Sequence, residues 1–276
     1  QAEDGIRDYK VTGVQTCALP IFGATVITII GLVDDVWGIS PRVKIGGQLL
    51  AAAALASQEV GIRLIQGTLD AVGMSAPHWL VYSLGAVAIA VFVLGGCNAV
   101  NLLDGLDGLA SGVVAIGSIG FLFIAVLVAL RAASGEPQYI AEQLSDPVRV
   151  VMCLAMLGAL LGFLPYNFNP ANIFMGDTGS LLLGYLSVTT ILLFAHAEDG
   201  PLLVMAALIV FALPITDTSL AIVRRKMRGQ PIFSPDSNHL HHQLLRFANG
   251  LGLGPNTNVK VAVLAMYGIA TLFGVR

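Results

Sequence analysis

HWLVYSLGAVAIAVFVLGGCNAVNLLDGLDGLASGVVAIGSIGFLFIAVLVALR, residues 78–131, sets two long apolar runs on either side of a short segment crowded with Asn, Asp and Gly. The flanking runs, His78 to Cys97 and Leu109 to Arg131, match the roughly 20 residues that an α-helix needs to cross a bilayer. The same pattern recurs outward in both directions. Further apolar windows cover Leu19 to Val33, Lys44 to Ser57, Val148 to Leu164, Ser180 to Ala195, Pro201 to Leu220 and Val259 to Phe273. The expected fold is therefore all-α: a polytopic transmembrane helix bundle of about eight spans. Composition agrees, since 56% of the 276 residues are hydrophobic and only 11% charged, where a soluble domain is nearer one-quarter charged. The net charge of −3 identifies no partner, and no nucleic-acid partner is expected. Cys17, Cys97 and Cys153 lack paired spacing, so neither a disulfide framework nor a Cys-based metal site is indicated.

The first twenty residues, QAEDGIRDYKVTGVQTCALP, are polar and have no apolar signal-peptide core. They resemble translated sequencing-adapter read-through and are expected to be foreign to the natural protein. On that reading residues 21–276 form one transmembrane domain whose native N-terminal part is cut short.

When the spans alternate across the membrane, the loops fall into two sets. One side receives Asp34 to Arg42, Asn98 to Asp107, Tyr166 to Thr178 and Asp217 to Asn258. In or beside these lie Arg42, Lys44, Arg224, Arg225, Lys226, Arg228, Arg246 and Lys260, against Arg63, Arg131 and Arg149 on the other side. By the positive-inside rule the first set is cytoplasmic. It also holds every dense polar motif, including Asp236, so a single active site in the cytoplasmic loops is expected.

Each motif admits a bland and a functional reading. GLVDDVWGIS (31–40) puts Asp34 and Asp35 together at a helix end, a costly place for two carboxylates without a cation; the alternative is a solvated capping loop. Lys44 can hold a phosphate as a point charge or snorkel. In NAVNLLDGLDGLASG (98–112), Asn98, Asn101, Asp104 and Asp107 recur every third residue and would share one helical face; a glycine-assisted turn is the alternative. NFNPANIFMGDTGS (167–180) brings Asn167, Asn169, Asn172 and Asp177 ahead of an apolar run. There Asp177 either caps the helix or ligates Mg²⁺ while backbone N–H groups meet phosphate. RRKMRGQPIFSPDSNHLHHQLL (224–245) joins a basic cluster to His239, His241 and His242. With only hard oxygen ligands elsewhere, phosphate or nucleotide binding is favoured over zinc.

Taken in order, GLVDD, NAVNLLDGLDGLA, FNPANIFMGDTGS and PIFSPDSNHLHHQLL resemble the signature of the polyprenyl-phosphate N-acetylhexosaminyl-1-phosphate transferases. The likeness runs from about Ile21 to the C-terminus, and the HLHH form looks like the WecA/TagO branch. The resemblance implies attack by undecaprenyl phosphate on the β-phosphorus of UDP-N-acetylglucosamine, giving a lipid-linked pyrophosphoryl sugar and UMP in the plasma membrane. It implies Mg²⁺, with Mn²⁺ as a substitute, held by Asp177 with Asp104 and Asp35. Asp34, Asp35 and Asp177 are the implied catalytic residues. Lys44, Asn98, Asn101, Asp104, Asp107, Arg228, His239, His241 and His242 are the implied substrate contacts, and a homodimer is admitted. The alternatives are the phospho-MurNAc-pentapeptide transferase of peptidoglycan synthesis and, in a different class, a secondary transporter. A transporter should carry its polar groups near the midplane, often in repeated halves, and no repeat is visible.

Overall fold

The computed structural model describes residues 2–133, 146–197, 199–229, 239–252 and 254–274. All regular structure among them is helical: α1 (Ala2–Trp37), α2 (Pro41–Ala56), α3 (Val60–Ala71), α4 (His78–Leu103), α5 (Leu109–Ala132), α6 (Asp146–Asn167), α7 (Gly176–Leu193), α8 (Gly200–Val210), α9 (Ala212–Met227), α10 (Leu240–Gly250) and α11 (Pro255–Gly274), with a 3₁₀ turn at Phe194–His196. Apolar chains of this length become helices in lipid because every backbone N–H and C=O must then find a partner within its own segment.

Six helices among the described residues are long and apolar enough to cross a membrane, and a seventh span arises if α8 and α9 count as one broken segment. The expected crossing at 44–57 appears as α2, which is 16 residues long. At about 1.5 Å per residue it reaches roughly 24 Å, short of the ~30 Å hydrocarbon core, and the separate 12-residue helix α3 follows it. The expected crossing at 201–220 breaks at Phe211, where α8 and α9 meet at 75°. Pro214 lies in the first turn of α9, the part of a helix where a missing N–H is tolerated. Large apolar side chains such as Phe123, Leu130 and Leu202 are 63%, 64% and 68% exposed, as expected where the surrounding solvent is lipid. The protein is thus multi-pass and membrane-embedded.

The bundle is organised about α7. Its span is 72% buried within the protein, against 17% for Ala18–Trp37 and 22% for Pro147–Asn167. Small residues let neighbouring backbones come close, the usual device where lipid supplies no hydrophobic drive. A Cβ on Gly184 would lie 2.4 Å from the Gly96 carbonyl oxygen of α4, and one on Gly31 of α1 would lie 2.5 Å from the Thr178 Cα. Below these contacts the core holds Tyr185, Ile191 and Phe194, while Phe121 and Phe211 face each other with ring centroids 6.2 Å apart. At the end of α7 farthest from Gly176, fully buried Arg149 donates from Nε to the Leu193 carbonyl at 3.2 Å and sits 5.8 Å over the Phe194 ring.

Candidate active site

The α1–α2 turn is built by one acid. Gly38 adopts φ +65° and the Ile39 amide donates to Asp34 Oδ1 at 2.8 Å, after which Pro41 opens α2. Lys44 in the first turn of α2 is thereby aimed back at α1. Its ammonium bridges Asp34 Oδ2 at 2.5 Å and Asp177 Oδ2. Asp177 Oδ1 accepts from Asn101 Nδ2 at 2.9 Å, and the same amide nitrogen reaches Ser180 Oγ at 2.9 Å. Four helices, α1, α2, α4 and α7, therefore meet in one charged knot at half-buried helix ends. The knot residues sit in the terminal helical turns that flank the expected loops, because those turns carry the backbone groups that need outside partners.

Asp35 takes a different part. Its Oδ1 accepts the Asp177 amide at 2.8 Å, and its Oδ2 accepts the Thr178 amide at 2.9 Å and the Thr178 hydroxyl at 2.6 Å. Met175, the residue before α7, supplies no side-chain cap of its own, so a carboxylate from another helix satisfies the first N–H groups and faces the positive end of the helix dipole. The cap expected of Asp177 is made by Asp35 instead. Gly176 permits it, with φ +65° and a Cβ position only 2.7 Å from Asp35 Oδ2.

The polar stripe expected along 98–107 does not form. Helix α4 stops at Leu103, and the DGLDG turn, with Gly108 at φ +80°, swings Asp104 and Asp107 off the helical face. Asp107 Oδ2 accepts from Asn169 Nδ2 at 3.0 Å and from the Ala171 amide at 3.1 Å, tying the turn to the segment before α7. Asn167 secures the same segment by accepting from Ser111 Oγ at 2.7 Å and donating to the Ile173 carbonyl at 3.0 Å. Asp104, Gly105, Leu106, Asp107, Asn167, Phe174 and Met175 line an open recess of about 240 Å³. Burial, followed by the negative charges of Asp177, Asp107 and Asp35, pushes the Asp104 carboxyl up to about 7. A buried carboxyl raised by the acids around it lies in the hard-oxygen environment that a divalent cation relieves, so the donor chemistry of Asp177, Asp104 and Asp35 fits Mg²⁺. Among the described residues no three acids or histidines already converge on a metal-binding point, since Asp35 and Asp177 are engaged by protein donors.

Asn98, expected to face substrate, turns away from this knot. Its Nδ2 donates to Gln48 Oε1 at 2.9 Å and to the Leu94 carbonyl at 2.7 Å. Gln48 is fully buried one helical turn below Lys44, and the amide pair clamps α2 to α4 beneath the charged groups. Its trace in the sequence is a lone polar residue inside the apolar run 45–56. His239 and His241 are buried at the start of α10, with rings stacked 5.5 Å apart, and His242 lies 4.2 Å from His241. A Cβ on Gly105 would be 2.8 Å from His241 Nε2, so the histidines abut the DGLDG turn. Burial, then the charge of His242, pushes the His241 imidazole down to about 4 against the opposing pull of Asp217. Arg228 is exposed at the C-terminal end of α9. Asp236 lies outside the described residues.

The sequence profile of glycosyl transferase family 4 matches residues 17–195, a stretch that holds every member of the charged knot. The chain belongs to glycosyl transferase family 4. Within the family it is 34% identical over 261 residues to the probable undecaprenyl-phosphate N-acetylglucosaminyl 1-phosphate transferase of Bacillus subtilis, covering 92% of this chain and 63% of that protein. It is 36% identical over 243 residues to the decaprenyl-phosphate N-acetylglucosaminephosphotransferase of Mycobacterium leprae, 84% of this chain and 58% of that one. A phospho-N-acetylmuramoyl-pentapeptide-transferase of Limosilactobacillus reuteri is 41% identical over 156 residues, 56% of this chain and 43% of its own length. The chain thus spans less than two thirds of each of these family 4 relatives.

Proposed function

We propose that this protein transfers N-acetylglucosamine-1-phosphate from UDP-N-acetylglucosamine to undecaprenyl phosphate, releasing UMP, and so begins the assembly of a cell-envelope polysaccharide. The observation that carries the reading is Lys44 shared between Asp34 and Asp177 while Asn101 fixes the second Asp177 oxygen. Three of the four motifs thereby join in one knot at a membrane-facing helix end. A lipid phosphate entering there finds an ammonium that can exchange a carboxylate for it. An acceptor phosphate is ionised at neutral pH, so one of its oxygens forms the new bond to the β-phosphorus as the bond to UMP breaks. Positioning and charge neutralisation then dominate the barrier.

Asp34 and Asp177 hold Lys44, Asp35 holds the first turn of α7, and Asp104 and Asp107 border the recess suited to part of the nucleotide. His239, His241 and His242, which abut the DGLDG turn at that recess, grip the donor together with Arg228. Mg²⁺ bound by Asp177 and its neighbours would neutralise the diphosphate. The excess of Lys and Arg beside these helix ends supports a cytoplasmic site.

The test is transfer of radiolabelled GlcNAc-1-phosphate from UDP-GlcNAc to undecaprenyl phosphate in membranes, with and without EDTA, alongside Asp177→Asn. Lipid-linked product and UMP, lost with chelator and in the variant, are expected. Product formed only from UDP-MurNAc-pentapeptide would move the donor to the second reading, which the Limosilactobacillus similarity favours. Absence of product from any UDP-sugar would sink the transferase reading.

A further inference from the structure

Asp217 belongs to none of the four motifs, yet it is 4% exposed and both its oxygens are occupied. Oδ1 accepts the Leu240 amide at 2.8 Å; Oδ2 lies 3.1 Å from Nδ1 of His239 and 4.0 Å from Nδ1 of His241. His239 is the residue before α10 and caps that helix with no side-chain bond of its own. Asp217 therefore does for α10 what Asp35 does for α7, and it does one thing more. An ionised carboxylate only accepts hydrogen bonds, so His239 must present Nδ1–H to it. That fixes the ring orientation and leaves Nε2 as the nitrogen turned away from α9. His241, 1% exposed and with neither ring nitrogen hydrogen-bonded, completes the packing against Gly105.

We propose that Asp217 is a positioning residue for donor binding: it fixes the His239 tautomer and the start of α10, so that the HLHH segment closes on the recess beside Asp104. This rests on the reading that the histidines grip the nucleotide-sugar. Asp217 acts through His239 and touches no reacting atom.

The experiment uses the whole protein in lipid nanodiscs, as wild type, Asp217→Asn, His239→Gln and the double variant. Three readouts are taken: the histidine tautomer by ¹⁵N chemical shift, the thermal midpoint, and kcat with KM for UDP-GlcNAc and for the acceptor lipid. In Asp217→Asn the carbonyl oxygen still accepts the Leu240 amide, so the midpoint should stay near wild type. The amide nitrogen now faces His239, so the ring should switch to the Nε2–H tautomer. KM for UDP-GlcNAc should rise about tenfold, the usual scale for losing an orienting partner. By contrast kcat and the acceptor KM should stay within about twofold, the pattern of lost donor binding. His239→Gln should match it, and the double variant should be no worse than either single change. An unchanged tautomer overturns the proposal. So does a parallel fall in kcat, both affinities and the midpoint, or penalties that multiply in the double variant. If the wild type transfers no sugar at all, the function reading fails, while the tautomer readout still decides whether Asp217 orients His239.

Discussion

At Gly176 backbone conformation and side-chain packing make the same demand. The residue has φ +65°, and an added Cβ would sit 2.7 Å from Asp35 Oδ2. Gly176→Ala should lose about 1–2 kcal/mol from the left-handed conformation alone, and displacing Asp35 adds the loss of a cap worth about 1 kcal/mol. Thermal unfolding in detergent measures the sum, and a midpoint equal to wild type would refute the capping geometry. His241 gives a second test, with its sign set by burial. Its imidazole is pushed down to about 4 from an ordinary 6.5, so above pH 6.5 both folded and unfolded forms are neutral and stability is complete. Between 6.5 and 4 the unfolded chain binds a proton that the folded chain refuses, and stability falls by at most about 1.4 kcal/mol per pH unit. The thermal midpoint should therefore drop between pH 7.5 and pH 5, and His241→Gln should flatten that slope.

At the scale of the helix the controlling feature is close approach to α7. A Cβ on Gly184 would meet backbone atoms of Gly96 and Cys97 at 2.4–2.8 Å, whereas Gly158 has nothing within 4 Å. Gly184→Val should cost about 1–3 kcal/mol by overpacking and loosen α4 and α7, which together carry Asn101 and Asp177. Gly158→Ala should be silent, and comparing thermal midpoints and transferase rates of the two variants checks both statements. Hydropathy made the long helices legible because a span is a local property, readable from 20 consecutive residues. It failed where geometry is set by a break. In the apolar run 201–220 only Pro214 marks the 75° bend at Phe211, and hydropathy does not register it; spacing of three in 98–107 suggests a helical face that the DGLDG turn cuts off after Leu103. The membership of Lys44, Asn101 and Asp177 in one site could be read from motif chemistry. The partnership of Gln48 with Asn98 could not, since it joins residues 50 apart in sequence.

Across the whole molecule the polar motifs gather at one end and Arg149 is buried toward the other, so the bundle has a chemical polarity that can be tested without any substrate. With Cys17 replaced by Ser, and with Cys97 and Cys153 already buried, single cysteines report each end. Lys226→Cys, exposed on α9, should react with an impermeant maleimide only after right-side-out vesicles are opened. Ser75→Cys, exposed between α3 and α4, should react at once. Both reacting from the same side would overturn the proposed orientation.

The bond from Asp35 to the first turn of α7 joins residues 142 apart in sequence. At about 5–20 residues per second during synthesis, roughly 7 to 28 s separate the emergence of the acid from that of the helix it caps. Through that interval the nascent bundle carries an open berth, and α7, the most enclosed span, is the late arrival that fills it. The order of synthesis therefore separates two kinds of contact in time: α2 can pack on α1 and α4 as soon as they are made, whereas the Asp35 carboxylate has no helix to cap until the central one arrives.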